Sequence, residues 1–272
     1  MGNFQFDALA CGPNGGELVL CLPGFPQGKE AYIEILLQLG AAGYRAVAVD
    51  PRGYSPGARP PNVADYSPAN LVADVLGFAQ ALGAPRFHLV GHDRGGSVAW
   101  VCARNHPEVL LSLTILSTPH QDAFTYALQN DVNQANMSAY IQIFDEKPPA
   151  GENYLLANGA ANLIGAYNGF VSAADVNLYV QRLEQPGALT AALNYYRADN
   201  LNVPLGNVSV PTVYVWGTND AYLGKLAATA TGTFCSGLYT FVQLPSRSHW
   251  LLDEDPGAIV TLLKQQFTSI VN

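Results

Sequence analysis

The chain has 272 residues, with 13 lysines and arginines against 21 aspartates and glutamates, for a net charge of −8. That balance excludes a nucleic-acid or anionic-membrane surface, which needs clustered basic residues, and leaves small neutral molecules as the natural partners. The length suits one large α/β domain or a core carrying an insertion, and nothing in it sets an oligomeric state. Cys11, Cys21, Cys102 and Cys235 have neither metal-like nor redox-like spacing, so they read as buried reduced thiols and no metal or cofactor is expected. The opening MGNFQFDALACG lacks a basic segment followed by a long apolar one, and no apolar stretch reaches membrane-spanning length. A soluble, cytoplasmic protein is the expectation.

Short β-type runs alternate with helical patterns through the first part of the chain: ELVLCL (17–22), RAVAVD (45–50), RFHLV (86–90) and LSLTIL (111–116). This alternation predicts an α/β fold with a mostly parallel sheet and crossover helices. One crossover helix is well marked, with Ser67 as its cap, Pro68 at its first position, a stop at Gly83, and Leu71, Val75, Phe78 and Leu82 on one face. Residues 123–204 are patterned as helices with Asn- and Tyr-rich turns and no strand, which predicts a helical insertion lying over the sheet. Strands return at TVYVW (212–216) and YTFVQL (239–244), and GAIVTLLKQQFTSIV closes the chain as an amphipathic helix. The core is thus 1–122 with 205–272, and the insertion is 123–204.

In a parallel sheet, functional groups collect in the loops at the carboxyl ends of the strands. Those loops are PGFPQ, PRGYSPGARP, GHDRGG, GTNDAY and PSRSHW, and three of them carry Asp93, Asp220 and His249 in chain order. Gly-x-Asp-x-Gly between a strand and a helix is the pattern of a sharp turn that exposes its central side chain, here Asp93. Each residue has a plainer reading: Asp93 as a helix cap, Asp220 as an Asx-turn residue, His249 as a core histidine beside Trp250. Three coincidences in the right loops and order favour a nucleophile, an acid and a base.

On these residues the sequence resembles the α/β-hydrolase superfamily, and within it the epoxide hydrolase and haloalkane dehalogenase branch, whose nucleophile is aspartate. GFPQ, DPRGYS, GHDRGG, GTND and SHW look like that branch's successive loop motifs. The resemblance implies an α/β-hydrolase fold with a helical cap, and an oxyanion hole from the backbone N–H groups of Phe25 and Arg94. One departure is Pro23, where the family usually has histidine. LNYYR (193–197) resembles a cap motif of epoxide hydrolases and AYIQIFDE (139–146) the other, which would make Tyr196 and Tyr140 the ring-opening pair. With 14 tyrosines in the chain, aromatic packing is the plainer role for either.

The chemistry explains an aspartate at position 93. Attack by serine on an sp³ carbon would give an ether that a histidine-activated water cannot cleave. Aspartate gives an ester, whose carbonyl carbon belongs to the enzyme, so water regenerates the nucleophile. The expected reaction takes an apolar epoxide and water to a vicinal diol: Asp93 attacks, Tyr140 and Tyr196 meet the ring oxygen, and neutral His249, oriented by Asp220, activates water. The alternative is a haloalkane or haloacid (fluoroacetate-type) dehalogenase, for which Arg94 could take a substrate carboxylate, although residues 123–204 hold neither His nor Trp for a halide site. A catalytically idle binding protein of the same fold is the third reading.

Overall fold

The computed structural model describes residues 4–199 and 203–270. Its centre is a seven-stranded sheet in the order β1-β3-β2-β4-β5-β6-β7, formed by β1 (Ala8–Cys11), β2 (Leu18–Leu22), β3 (Arg45–Val49), β4 (Phe87–His92), β5 (Leu110–Leu116), β6 (Thr212–Gly217) and β7 (Tyr239–Leu244). All neighbours pair in parallel except β1, which runs antiparallel to β3 with Ala8 opposite Val49. Sequence patterning does not announce this edge strand. Its four residues alternate between exposed and half-buried, too short and too weakly apolar to stand out.

The inner strands read as continuous apolar runs because both of their faces are covered. Along β2, Leu18, Leu20 and Leu22 enter the core that includes α2 (Pro68–Ala81) and α3 (Arg94–Asn105). Val19 and Cys21 point the other way, into the core with α1 (Ile33–Ala41) and α12 (Pro256–Ile270). The twofold alternation of a strand thus divides one apolar run between two layers of helices. The closing helix was expected to reach position 271, which lies outside the described residues. Helix α2 starts at Pro68 as expected, but Ser67 makes no side-chain capping bond. Proline at the first position leaves one fewer unpaired N–H in the first turn, and its fixed φ suits the start of a helix.

From Gln121 to Arg197, between β5 and β6, the chain forms α4 (Gln121–Asn130), α5 (Val132–Met137), α6 (Tyr140–Asp145), α7 (Ala150–Gly165), α8 (Ala173–Leu183) and α9 (Ala188–Arg197). The run begins at Gln121, and residues 200–202 of the expected insertion lie outside the described residues. Helix α7 is broken by non-helical dihedrals from Ala157 to Ala160, where the sequence reads Ala-Asn-Gly-Ala. Short α10 (Lys225–Ala230) and α11 (Leu251–Glu254) flank the last strand.

Two sets of polar contacts seat the helices on the sheet. Arg182 on α8 ion-pairs with Glu30 in the loop after β2, and Lys29 beside it pairs with Asp50 at the end of β3. The Tyr195 hydroxyl of α9 donates to the Arg52 carbonyl at 2.7 Å, while Arg52 forks onto Asp74 of α2, both bonds 2.7 Å. The loop PRGYSPGARP therefore ties α9 to the core. All four cysteines are free, but only Cys21 and Cys102 are buried; Cys11 and Cys235 are half-buried, correcting the expectation for those two.

Candidate active site

Asp93 occupies the turn from β4 into α3 with φ 48° and ψ −121°. This is a sparsely populated conformation for any residue with a Cβ, and it is held by close packing around the turn. A Cβ on Gly91 would lie 2.6 Å from the Gly95 carbonyl oxygen, and one on Gly95 would run into the Leu22 carbonyl. Gly96 is less confined, its nearest neighbour being Thr118 Cβ at 3.1 Å. The Asp93 side chain does not cap α3. It turns instead toward the loop after β2, where the Phe25 N–H donates to Oδ1 at 2.8 Å.

The plainer reading of Asp93 therefore falls, whereas that of Asp220 is correct and incomplete. Asp220 Oδ1 accepts the N–H groups of Tyr222 and Leu223 at 2.8 and 3.0 Å, which is an Asx-type turn. Its Oδ2 accepts from His249 Nδ1 at 2.9 Å. One carboxylate shapes its loop with one oxygen and holds the imidazole with the other. Nδ1 carries the proton, since a carboxylate can only accept, and Nε2 faces Asp93 Oδ2 at 3.4 Å.

Electrostatics follow from this sandwich. Burial opposes charge on both partners, but the hydrogen bond and charge of His249 bring the Asp93 carboxyl below its ordinary range, to about 2. The backbone N–H of Arg94 acts in the same direction. Burial likewise works against an imidazolium at His249, and is outweighed by the charges and hydrogen bonds of Asp220 and Asp93, so the ring rises well above its usual value. The resting site thus favours a charged His249, and the neutral ring expected from the sequence belongs to the later step in which it activates water.

Tyr140 on α6 and Tyr196 on α9 stand over Asp93, and all three line two cavities that meet there. The larger, about 410 Å³, is edged by Ser97, Thr118, Gln121, Gln129 and Asp145. The smaller, about 290 Å³, is walled by Phe25, Phe144, Leu155, Tyr222 and Trp250, with His249. Burial first, then the charge of Asp93, raises both phenols above their ordinary value, keeping them protonated. Their rings interlock through Phe144, at centroid distances of 5.1 Å to each.

Sequence reading missed several residues that support these groups. His92 and Ser117 both donate to the His249 carbonyl, each at 2.9 Å. The ring of Tyr222 meets that of His249 edge-on at 5.2 Å, and its hydroxyl donates to the Ala166 carbonyl of the helical segment. Both signals lay in quoted motifs, His92 in GHDRGG and Tyr222 in GTNDAY, yet nothing local says where a buried ring points. Arg94, weighed above as a receptor for a substrate carboxylate, spends its Nη2 on the Tyr195 carbonyl at 3.0 Å and Asp199 at 2.9 Å.

A family model described as alpha/beta hydrolase fold matches residues 17–256. The chain belongs to the α/β-hydrolase fold family. Among curated relatives, this hydrolase is 30% identical over 279 residues to epoxide hydrolase 4 of Mus musculus, covering 96% of this chain and 77% of the mouse protein. It is 32% identical over 263 residues to the AB hydrolase superfamily protein YfhM of Bacillus subtilis (strain 168), covering 93% and 91% of the two chains. Among solved structures, the hydrolase superposes on a Bacillus megaterium epoxide hydrolase in complex with an inhibitor with a TM-score of 0.85. There the coverage is 97% and 96% at 22% identity, which speaks to the shared fold. No described helix is long and apolar enough to cross a membrane.

Proposed function

We propose that this α/β hydrolase is an epoxide hydrolase that opens an apolar epoxide to a vicinal diol through an ester on Asp93. The observation that carries the reading is the meeting of Asp93, Tyr140 and Tyr196 where the two cavities join. A nucleophile with protonated phenols over it suits a strained ether, whose leaving oxygen is a poor one until it gains a proton. The helical segment, taken as a cap over 123–204, supplies the phenols, and the core supplies the triad Asp93, Asp220 and His249. Under this reading Arg94, its Nη2 held by the Tyr195 carbonyl and Asp199, ties the core to α9.

Asp93 Oδ2 is the attacking atom, because Oδ1 already faces the Phe25 N–H. The Oδ2–carbon bond forms as the ring carbon–oxygen bond breaks, and the freed oxygen takes a phenol proton from Tyr140 or Tyr196. Esterification removes the negative charge of Asp93, one of the groups that held His249 protonated. The imidazolium can then give its proton up to the phenolate through solvent, and the neutral base is generated when the ester is ready for it. His249 next takes a proton from water, which attacks Asp93 Cγ. The oxyanion builds on Oδ1 between the N–H groups of Phe25 and Arg94, the backbone donors of the hole. Collapse expels the alkoxide, which takes the proton from His249, and the diol leaves.

A single turnover in heavy-oxygen water tests the scheme. The label should enter the Asp93 carboxylate while the diol receives an unlabelled oxygen from the protein. Label in the diol and none in the protein would mean direct attack by water and end the proposal.

A further inference from the structure

The scheme above uses only the backbone N–H of Arg94, yet its side chain runs from the nucleophile turn to the helix that carries a ring-opening phenol. The guanidinium carbon lies 4.8 Å from the centre of the Tyr196 ring, over its face. Nη2 donates to the Tyr195 carbonyl at 3.0 Å and to Asp199 at 2.9 Å, two residues that bracket Tyr196 in sequence. We propose that Arg94 is a positioning residue for ring opening, holding Tyr196 beside Asp93 and favouring negative charge on its phenol as the proton leaves. This inference rests on the epoxide-opening reading and deepens it.

Three features of the contact support it. A cation within about 6 Å of a ring centre is attracted by the ring's negative face, and losing the phenol proton makes that face more negative. The attraction therefore grows as the proton is given away, which is what transition-state stabilisation requires. Asp199 meets the guanidinium on its Nη2 edge, so the ion pair anchors Arg94 without taking the face turned to the ring. Finally, the charges around Tyr196 do not act alike through the step. Asp93 and Tyr140 resist ionisation of the phenol while Arg94 favours it. Asp93 loses its charge as it attacks, and the guanidinium keeps its own.

The test compares Arg94→Met and Arg94→Lys with the parent by rapid-quench measurement of ester formation on Asp93. The probes are 1,2-epoxybutane and 4,4,4-trifluoro-1,2-epoxybutane, which share a carbon skeleton and differ in the basicity of the alkoxide released, each variant being compared with the parent on the same epoxide. With the plain epoxide, Arg94→Met should slow ester formation about tenfold and Arg94→Lys by less, since lysine keeps the charge and loses the planar stack. With the fluorinated epoxide the deficit should shrink, because a less basic oxygen leans less on the phenol. If the methionine variant does not fold, Arg94→Gln carries the same comparison. Ester formation at the parental rate after loss of the charge overturns the inference and leaves the epoxide hydrolase reading standing. Equal slowing by Met and Lys on both epoxides reduces Arg94 to a structural tie and also overturns it. A parent enzyme that forms no ester on Asp93 overturns the epoxide hydrolase reading itself, and the inference with it.

Discussion

The Phe25 N–H donates to Asp93 Oδ1 across 2.8 Å, joining the loop after β2 to the turn after β4. Pro23 stands where the family resemblance leads to the expectation of a histidine, and the donor is in place without it. What makes the approach possible is Gly24. A Cβ there would lie 2.6 Å from Asp93 Oδ1 and 2.7 Å from the His92 carbonyl oxygen, and closer still to Asp93 Cβ. Gly24→Ala must therefore push the two loops apart. The expected result is a folded protein, by circular dichroism, whose turnover falls by about 10²–10³, the usual cost of a lost oxyanion donor. Parental kcat in this variant would show that the Phe25 donor is not part of the reaction.

His249→Gln separates the two half-reactions. Attack by an ionised carboxylate needs no base, whereas hydrolysis of the ester does. Mass spectrometry of the variant mixed with substrate should find the protein plus one intact epoxide, since addition to a ring expels nothing. Steady-state turnover should drop by about 10²–10⁴. Undiminished turnover with no adduct would remove His249 from its role.

Tyr140 and Tyr196 can lose their hydroxyls with little disturbance, because phenylalanine preserves the edge-on contacts that each ring makes with Phe144. Each Tyr→Phe change should slow ester formation by up to about 10²–10³, and the double change should nearly abolish it, while thermal midpoints stay within a few degrees, ~2–4 °C. A double variant that opens epoxides at the parental rate would favour a reaction whose leaving group needs no proton, such as halide displacement.

Asp253 provides a pH test away from the reacting groups. Burial raises its carboxyl from 3.8 to about 6, against the hydrogen bond from Gln27 Nε2 at 2.9 Å. The folded protein thus holds this proton more tightly than the unfolded chain. The benefit is full below pH 3.8 and is lost as the pH rises through about 6, above which the ionised group is a net cost. Asp253→Asn keeps an acceptor for Gln27 and cannot ionise. Denaturant unfolding at pH 7.5 should show it more stable than the parent by about 1–2 kcal/mol, with no gain at pH 4. An equal change at both pH values would mean that packing, not ionisation, sets the difference.

Sequence by itself determined the six strands from β2 onward, the helices that follow Ser67 and Asp93 and the closing helix, because short apolar runs between turn residues alternate there with helical periodicity. It also determined that Asp93, Asp220 and His249 lie at the carboxyl ends of three strands, since the loops follow the strands directly. Only the tertiary structure decided which oxygen of Asp220 serves the turn and which holds His249. It alone put Tyr140 and Tyr196, 56 positions apart in number, over one carboxylate by docking α6 and α9 side by side. Strand alternation and turn chemistry act between near neighbours in the chain and leave their mark there. The direction of a buried ring, the edge strand β1 and the charge on His249 depend on groups brought from distant parts of the chain, whose meeting no local pattern records.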